Sequence, residues 1–307
     1  MPKELEDIVG FKLREPAATT AESRNLPPVW QAAVLGILVG YLYHTILWRL
    51  ILNWWNDPNF SHGFFVPLFS IFVVWRERKR IGSLLPCPSW IGLPIIAGAL
   101  GVLILGVLGA ELFLSRSSFI LLLAGLIIYF LGYSYFKRVA FPWAFLFLMI
   151  PLPAIIFNQI AFPLQLVASQ VAGSLLSLFG VPVLREGNVI QLPAMSLEVA
   201  QACSGIRSLL SLATLSIIYG YLLESKTLPR LILLIASVPI AIVANSLRVV
   251  GSGLLVHYWD PAKGEGFFHT FEGWVIFVFS LGMLFSLHGL ILFVERRGSR
   301  RESDGPH

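Results

Sequence analysis

Residues 230–256 read RLILLIASVPIAIVANSLRVVGSGLLV: an arginine, an uncharged apolar stretch, a second arginine at 248, and a further run of apolar and small residues. From Arg230 to Arg248 is 18 residues, roughly 27 Å along a helix, close to the ~30 Å hydrocarbon core of a bilayer. The segment is a membrane-crossing helix with a cation at each boundary. Similar runs occupy 30–52, 61–75, 90–112, 117–136, 139–157, 204–223 and 273–294, the second of them short and interrupted by Pro67. The 307-residue chain is 56% hydrophobic and 13% charged, with a mean hydropathy of +0.78, outside the range of soluble domains. The runs are continuously apolar, without the alternation of barrel strands. The expected fold is an all-α polytopic membrane protein of about eight transmembrane helices.

Positive charge sets the expected orientation. Lys3, Lys12, Arg14 and Arg24 precede the first run; Arg76, Arg78, Lys79 and Arg80, then Lys137 and Arg138, then Lys226 and Arg230, and finally Arg296, Arg297, Arg300 and Arg301 fall between or after runs. Cytoplasmic loops retain such residues, so both termini are expected inside the cytoplasmic membrane. The net charge of +5 follows from this bias and gives no reason to invoke nucleic acid. The alternation closes only if residues 158–180 do not cross. There Gln165, Ser169, Gln170, Gly173, Ser174 and Ser177 recur opposite Leu164, Val167, Val171, Leu175 and Leu178, the pattern of an amphipathic interfacial helix. A ninth, slightly polar span is the alternative.

Residues 181–202 change character, with Glu186-Gly187-Asn188 beside extended, alternating stretches at Asn188–Leu192 and Ser196–Ala200, which predicts a small hairpin on the outer face. The organisation expected is a cytoplasmic N-terminal segment, 1–29, a transmembrane catalytic domain, 30–294, and a basic cytoplasmic tail, 295–307. The first 29 residues lack the character of a cleavable secretory signal, so the first helix serves as its own insertion signal. No internal repeat stands out.

The chemistry concentrates at the outer helix ends. Cys203, in Gln201-Ala202-Cys203-Ser204-Gly205-Ile206-Arg207-Ser208, opens an apolar run with Arg207 one turn later. A thiol ionises near neutrality beside a cation, a helix N-terminus or a base, and the thiolate is the nucleophile; a buried space-filling cysteine is the plain alternative. Arg248 reaches the outer boundary with Asn245 one turn earlier; snorkelling to headgroups competes with a polar pocket. His269, entering the last helix, suits a general base, though a histidine at an interface is often an ordinary surface residue. His62, in Ser61-His62-Gly63-Phe64-Phe65-Val66-Pro67, is a second titratable group on that face, or part of a capping turn. Cys87 falls on the inner side, so a disulfide with Cys203 is not expected. No metal-ligand spacing and no phosphate loop occur, and no cofactor is implied.

These segments resemble the exosortases and archaeosortases, polytopic cysteine transpeptidases, in Ser61–Leu68 with the Trp75-Arg76 exit, Ala202–Ser208, Asn245–Val249, and His269 followed by Gly273-Trp274. The similarity runs from about residue 30 to 294. It implies a catalytic set of Cys203, Arg248 and His269, with Arg207, His62 and Asn245 binding substrate or supporting the set. The implied partners are exported proteins ending in a Pro-Glu-Pro-like motif, a transmembrane helix and a basic cluster, as well as the lipid bilayer and an acceptor nucleophile that the sequence leaves unidentified. Many bacterial members accompany extracellular polysaccharide production, and some carry a further soluble domain after the last helix where this sequence has a short basic tail. A secondary transporter and a non-catalytic scaffold for polysaccharide export are the competing classes. The transporter class usually shows repeats and broken helices, and neither competing class requires the thiol.

Overall fold

A computed structural model describes residues 29–193, 195–199, 205–258 and 267–303. The chain folds as α1 Val29–Asn56, a 3₁₀ turn Pro58–Phe64, α2 Phe65–Arg76, a short α3 Arg78–Gly82, α4 Gly92–Leu108, α5 Leu112–Phe130, α6 Tyr133–Phe145 with a 3₁₀ extension Leu146–Met149, α7 Ala154–Leu178, strands β1 Leu184–Glu186, β2 Val189–Gln191 and β3 Ser196–Glu198, then α8 Gly205–Leu223, α9 Thr227–Tyr258 and α10 Phe267–Ser303. It is an all-α multi-pass membrane protein carrying one small sheet. Among the described residues, six helical stretches are long and apolar enough to cross a bilayer, with α4 and α8 as shorter apolar helices.

The end of the bundle holding the Pro58–Phe64 turn is its upper end. α1 rises to it, and α2 descends. α4 and α5 form a tight hairpin because Gly92 lies against Tyr129 and Gly125 near the bottom, while Gly106 meets Ser115 near the top. Any Cβ at these glycines would collide with backbone, so the small residues set the helix spacing. Gly132, at φ +94°, ends α5 in a conformation that favours glycine, and its N–H reaches the Ile127 and Ile128 carbonyls. α6 and its extension climb again, with Trp143 Nε1 donating to Ile120 O at 2.8 Å and Trp54 Nε1 donating to Met149 O at 2.9 Å.

The run expected to cross at 139–157 is therefore not one helix. It breaks at Ile150–Pro153, where Pro151 and Pro153 remove donors and disfavour helical geometry before them. α7 qualifies as a span by length and composition, yet both its ends lie at the top. Phe157 packs on Phe60 of the upper turn, and the C-terminal half holds the sheet. The helix starts four residues earlier than the amphipathic stretch expected at 158–180. The sheet is an antiparallel meander in the order β1-β2-β3 rather than a hairpin. Its buried Ile190, Leu192, Leu197 and Val199 pack with Ala168, Ala172 and Leu176 of α7 and with Val249, Val250 and Val256 of α9. Ser169 Oγ donates to Gly187 O at 2.9 Å and fixes the turn between β1 and β2 to α7.

α8 descends, α9 returns, and α10 runs down again past residue 294 to Ser303. At the lower end, buried Glu224 and His288 meet at 2.5 Å between Oε1 and Nε2, and the Tyr219 hydroxyl lies 2.7 Å from His288 Nδ1. Lys226 reaches Glu295 at 3.1 Å in the same region. The beginning of α1 and the end of α10 thus lie at the same end of the bundle.

Candidate active site

Asp57 opens the upper turn by accepting a hydrogen bond from the Asn59 N–H at 2.9 Å, and Pro58 occupies the first helical position, where its missing donor costs nothing. Asn59 Oδ1 in turn accepts from Arg207 Nε at 3.4 Å, a long contact that links the turn to the first full turn of α8. His62 is buried, with Nε2 3.3 Å from Leu148 O. A ring that donates from Nε2 carries its proton there, leaving Nδ1 as acceptor, and this buried Nδ1 has no hydrogen-bond partner. Gly63 is required where it stands: a methyl group there would overlap the Trp54 indole.

Below this turn opens a cavity of about 850 Å³, within the roughly 300–1,000 Å³ typical of ligand pockets. Two helices supply matching walls. Ser61, His62, Phe65, Leu68, Phe69 and Phe72 line one side, and Arg207, Ser208, Ser211, Thr214, Leu215 and Ile218 line the other. Both sets follow the helical spacing i, i+1, i+4, i+7, i+8, i+11, and both elements descend from the top. Polar groups consequently gather at the upper end and apolar groups below. Arg248, Gly273, Trp274 and Phe277 complete the wall. Phe65, Leu68 and Trp274 are 65%, 64% and 68% exposed, so the cavity is a groove open to the side of the bundle.

Arg248 is 7% exposed and faces this groove, not the lipid. Its guanidinium lies over the backbone of α10, where the Cβ position of Gly273 is 3.8 Å from Nη2. Arg207 is within electrostatic range of Arg248, and Asp57 is the acidic group acting on it. Among the described residues the upper groove thus carries two guanidinium groups and the Asp57 carboxylate, a cationic balance.

The structure brings Arg207, His62 and Arg248 to one cavity. Asn245 does not line it; this side chain is buried and faces Leu164 and Leu209, between α7, α8 and α9. Cys203 lies outside the described residues, as does the side chain of His269. On the chain, Cys203 stands two residues before the start of α8, and His269 stands one helical turn before Gly273 in α10. Sequence reasoning missed Ser208, Ser211 and Thr214; their spacing along one face of an apolar helix was the available signal. No group of three or more histidine, cysteine, aspartate or glutamate side chains able to hold a metal occurs among the described residues.

The family model for transmembrane exosortases, Exosortase_EpsH, matches residues 54–286. The chain belongs to the transmembrane exosortase family. Neither a curated protein nor a solved structure matches it. The matched region of this exosortase begins at Trp54, whose indole supports the upper turn, and ends in α10 beyond Phe277, so it contains every described residue of the groove. Membership carries a membrane sorting role of the transpeptidase kind.

Proposed function

We propose that this exosortase is a cysteine peptidase or transpeptidase that cuts the C-terminal sorting signal of exported proteins at the outer face of the cytoplasmic membrane. The observation supporting this reading is the polarity gradient of the groove. Its apolar lower walls and lateral opening suit a hydrophobic helix arriving through the bilayer, and its cationic top suits an acidic motif just above that helix, as in a Pro-Glu-Pro-like signal. The arginines and lysines around α3, the α8–α9 connection and the end of α10 support a cytoplasmic lower end.

In this mechanism the Cys203 thiolate attacks the carbonyl carbon of the scissile peptide, and the carbon–nitrogen bond of the tetrahedral intermediate then breaks. His269 gives a proton to the leaving amine, and the N-terminal portion of the substrate remains as a thioester on Sγ. Water, or the amine or hydroxyl of an acceptor, attacks the thioester, passes a proton to His269 and frees the thiolate. Arg248 donates to the developing oxyanion, a contribution typically of about 10²–10³ in rate for one donor. Arg207 holds the acidic motif. The walls fix the substrate helix, so orientation is part of the catalysis.

Co-expression with a tagged protein bearing a Pro-Glu-Pro-type C-terminus tests this. Release of the C-terminal fragment by wild type and not by Cys203→Ala, at equal membrane levels, is the expected result, and any mass added to the product identifies the acceptor. Equal processing by both proteins removes Cys203 as nucleophile and leaves a scaffold or transporter role.

A further inference from the structure

Serines in membrane helices ordinarily return their hydroxyl proton to the preceding turn. Ser216, Ser237, Ser246 and Ser280 do so here, donating to carbonyls three or four residues back at 2.6–2.8 Å. Ser208, Ser211 and Thr214 make no hydrogen bond among the described residues, although all three line the groove. Thr214 is only 3% exposed. A hydroxyl on the wall of a cavity, in a residue otherwise enclosed by the bundle, is open to a partner that a ligand can supply.

The three hydroxyls are spaced at i, i+3 and i+6 on α8, a rise of about 4.5 Å per step and about 9 Å in all. A helical ligand offers them little, because its backbone groups are already bonded to each other apart from the N–H groups of its first turn. An extended chain advances about 3.3 Å per residue, so roughly three residues span the same 9 Å with every N–H and C=O unmet. At membrane depth such groups must be satisfied by protein. The hydroxyls begin at Ser208, directly after Arg207, and continue below the cationic mouth, while Leu215 and Ile218 continue the wall as purely apolar surface.

We infer that Ser208, Ser211 and Thr214 form a hydrogen-bonding ladder for the main chain of an unwound stretch of the ligand, the residues immediately C-terminal to the bond that is cut. The inference rests on the reading that the groove receives a membrane-anchored polypeptide. It assigns α8 two tasks along one face: the hydroxyl section holds the ligand open where a helix would shield the scissile carbonyl, and the apolar section below grips the remaining helix.

The test compares the wild type with Ser208→Ala/Ser211→Ala/Thr214→Val and with the hydroxyl-retaining Ser211→Thr/Thr214→Ser. Two tagged substrates are used, with either three alanines or three glycines directly after the cleavage site; alanine favours a helix there and glycine does not. Fragment release is followed in wild-type background, and co-purification of uncut substrate is followed with Cys203→Ala added. The ladder predicts a loss of tenfold or more for the triple variant on the alanine substrate, a clearly smaller loss on the glycine substrate, and near wild-type behaviour for the hydroxyl-retaining protein. Unchanged cleavage and binding in the triple variant, or equal losses on both substrates, overturns it. If wild type fails to cut either substrate, the cleavage reading fails, and co-purification still decides the ladder: selective loss of the alanine substrate by the triple variant supports it, and no capture of substrate by the Cys203→Ala protein overturns it.

Discussion

Replacing Gly63 with alanine adds one methyl group where two anchored elements already touch. The new carbon overlaps the Trp54 indole, which is 7% exposed and tied to Met149 O through Nε1 at 2.9 Å. The turn cannot retreat freely, because His62 is bonded to Leu148 O. Both anchors converge on adjacent carbonyls, so either the indole or the imidazole must give up its partner. Overpacking of this kind costs about 1–3 kcal/mol, and a lost buried hydrogen bond adds about 1 kcal/mol. The sum of about 2–4 kcal/mol corresponds to a fall in melting temperature of about 4–8 °C at roughly 2 °C per kcal/mol for a chain of this size. Thermal unfolding of the purified protein in detergent, followed by tryptophan fluorescence, measures it. Gly40→Ala is the control: nothing lies within 4 Å of its Cβ position, and alanine is the better helix former, so its melting temperature holds or rises slightly. A Gly63→Ala protein melting within about 1 °C of wild type would refute the packing argument.

Other substitutions probe separate contacts. Gly253→Ala brings a methyl group to 2.9 Å from both Leu176 methyls; it should lower thermal stability by about 1–3 kcal/mol, and Leu176→Ala in the same protein should recover part of that loss. Removing one partner of the lower pair, as in Glu224→Ala or His288→Ala, should cost about 3–5 kcal/mol in the same melts, while Glu224→Leu/His288→Leu should cost clearly less, because the single change strands a buried polar group. Arg207→Ala should reduce processing of a signal with an acidic motif far more than Asn59→Ala, whose 3.4 Å contact is too long to contribute much; equal losses in a cleavage assay would make Arg207 a strut for the upper turn instead of a substrate contact.

The passes through the membrane were legible in the sequence because each is a long apolar run, and α7 was legible because its glutamines and serines recur with helical period. The break after α6 was hidden: Ile150–Pro153 is as apolar as its surroundings, so hydropathy runs through it, and only the paired prolines marked it. β1 was missed because Leu184-Arg185-Glu186 is an exposed edge without a buried side to create alternation. The meeting of Tyr219 and Glu224 with His288 carried no local signal, since the first two sit at the lower end of α8 and His288 lies on α10, and packing alone joins them. At the site, Arg248 and Arg207 stood out as cations in apolar runs, and the groove justifies both. Asn245 lies one turn before Arg248 on α9, yet it packs toward Leu164 and Leu209 and not into the cavity. Ser208, Ser211 and Thr214 looked like ordinary helical residues until the cavity placed all three on one wall.

The most direct test of a thioester mechanism is the mass of the Cys203 peptide after rapid acid quenching of the protein mixed with substrate in lipid nanodiscs. The account predicts an adduct equal to the N-terminal portion of the substrate, released by hydroxylamine and absent from Cys203→Ser. Cleavage that proceeds at the wild-type rate in Cys203→Ser, with no adduct at any time in the wild type, would contradict it.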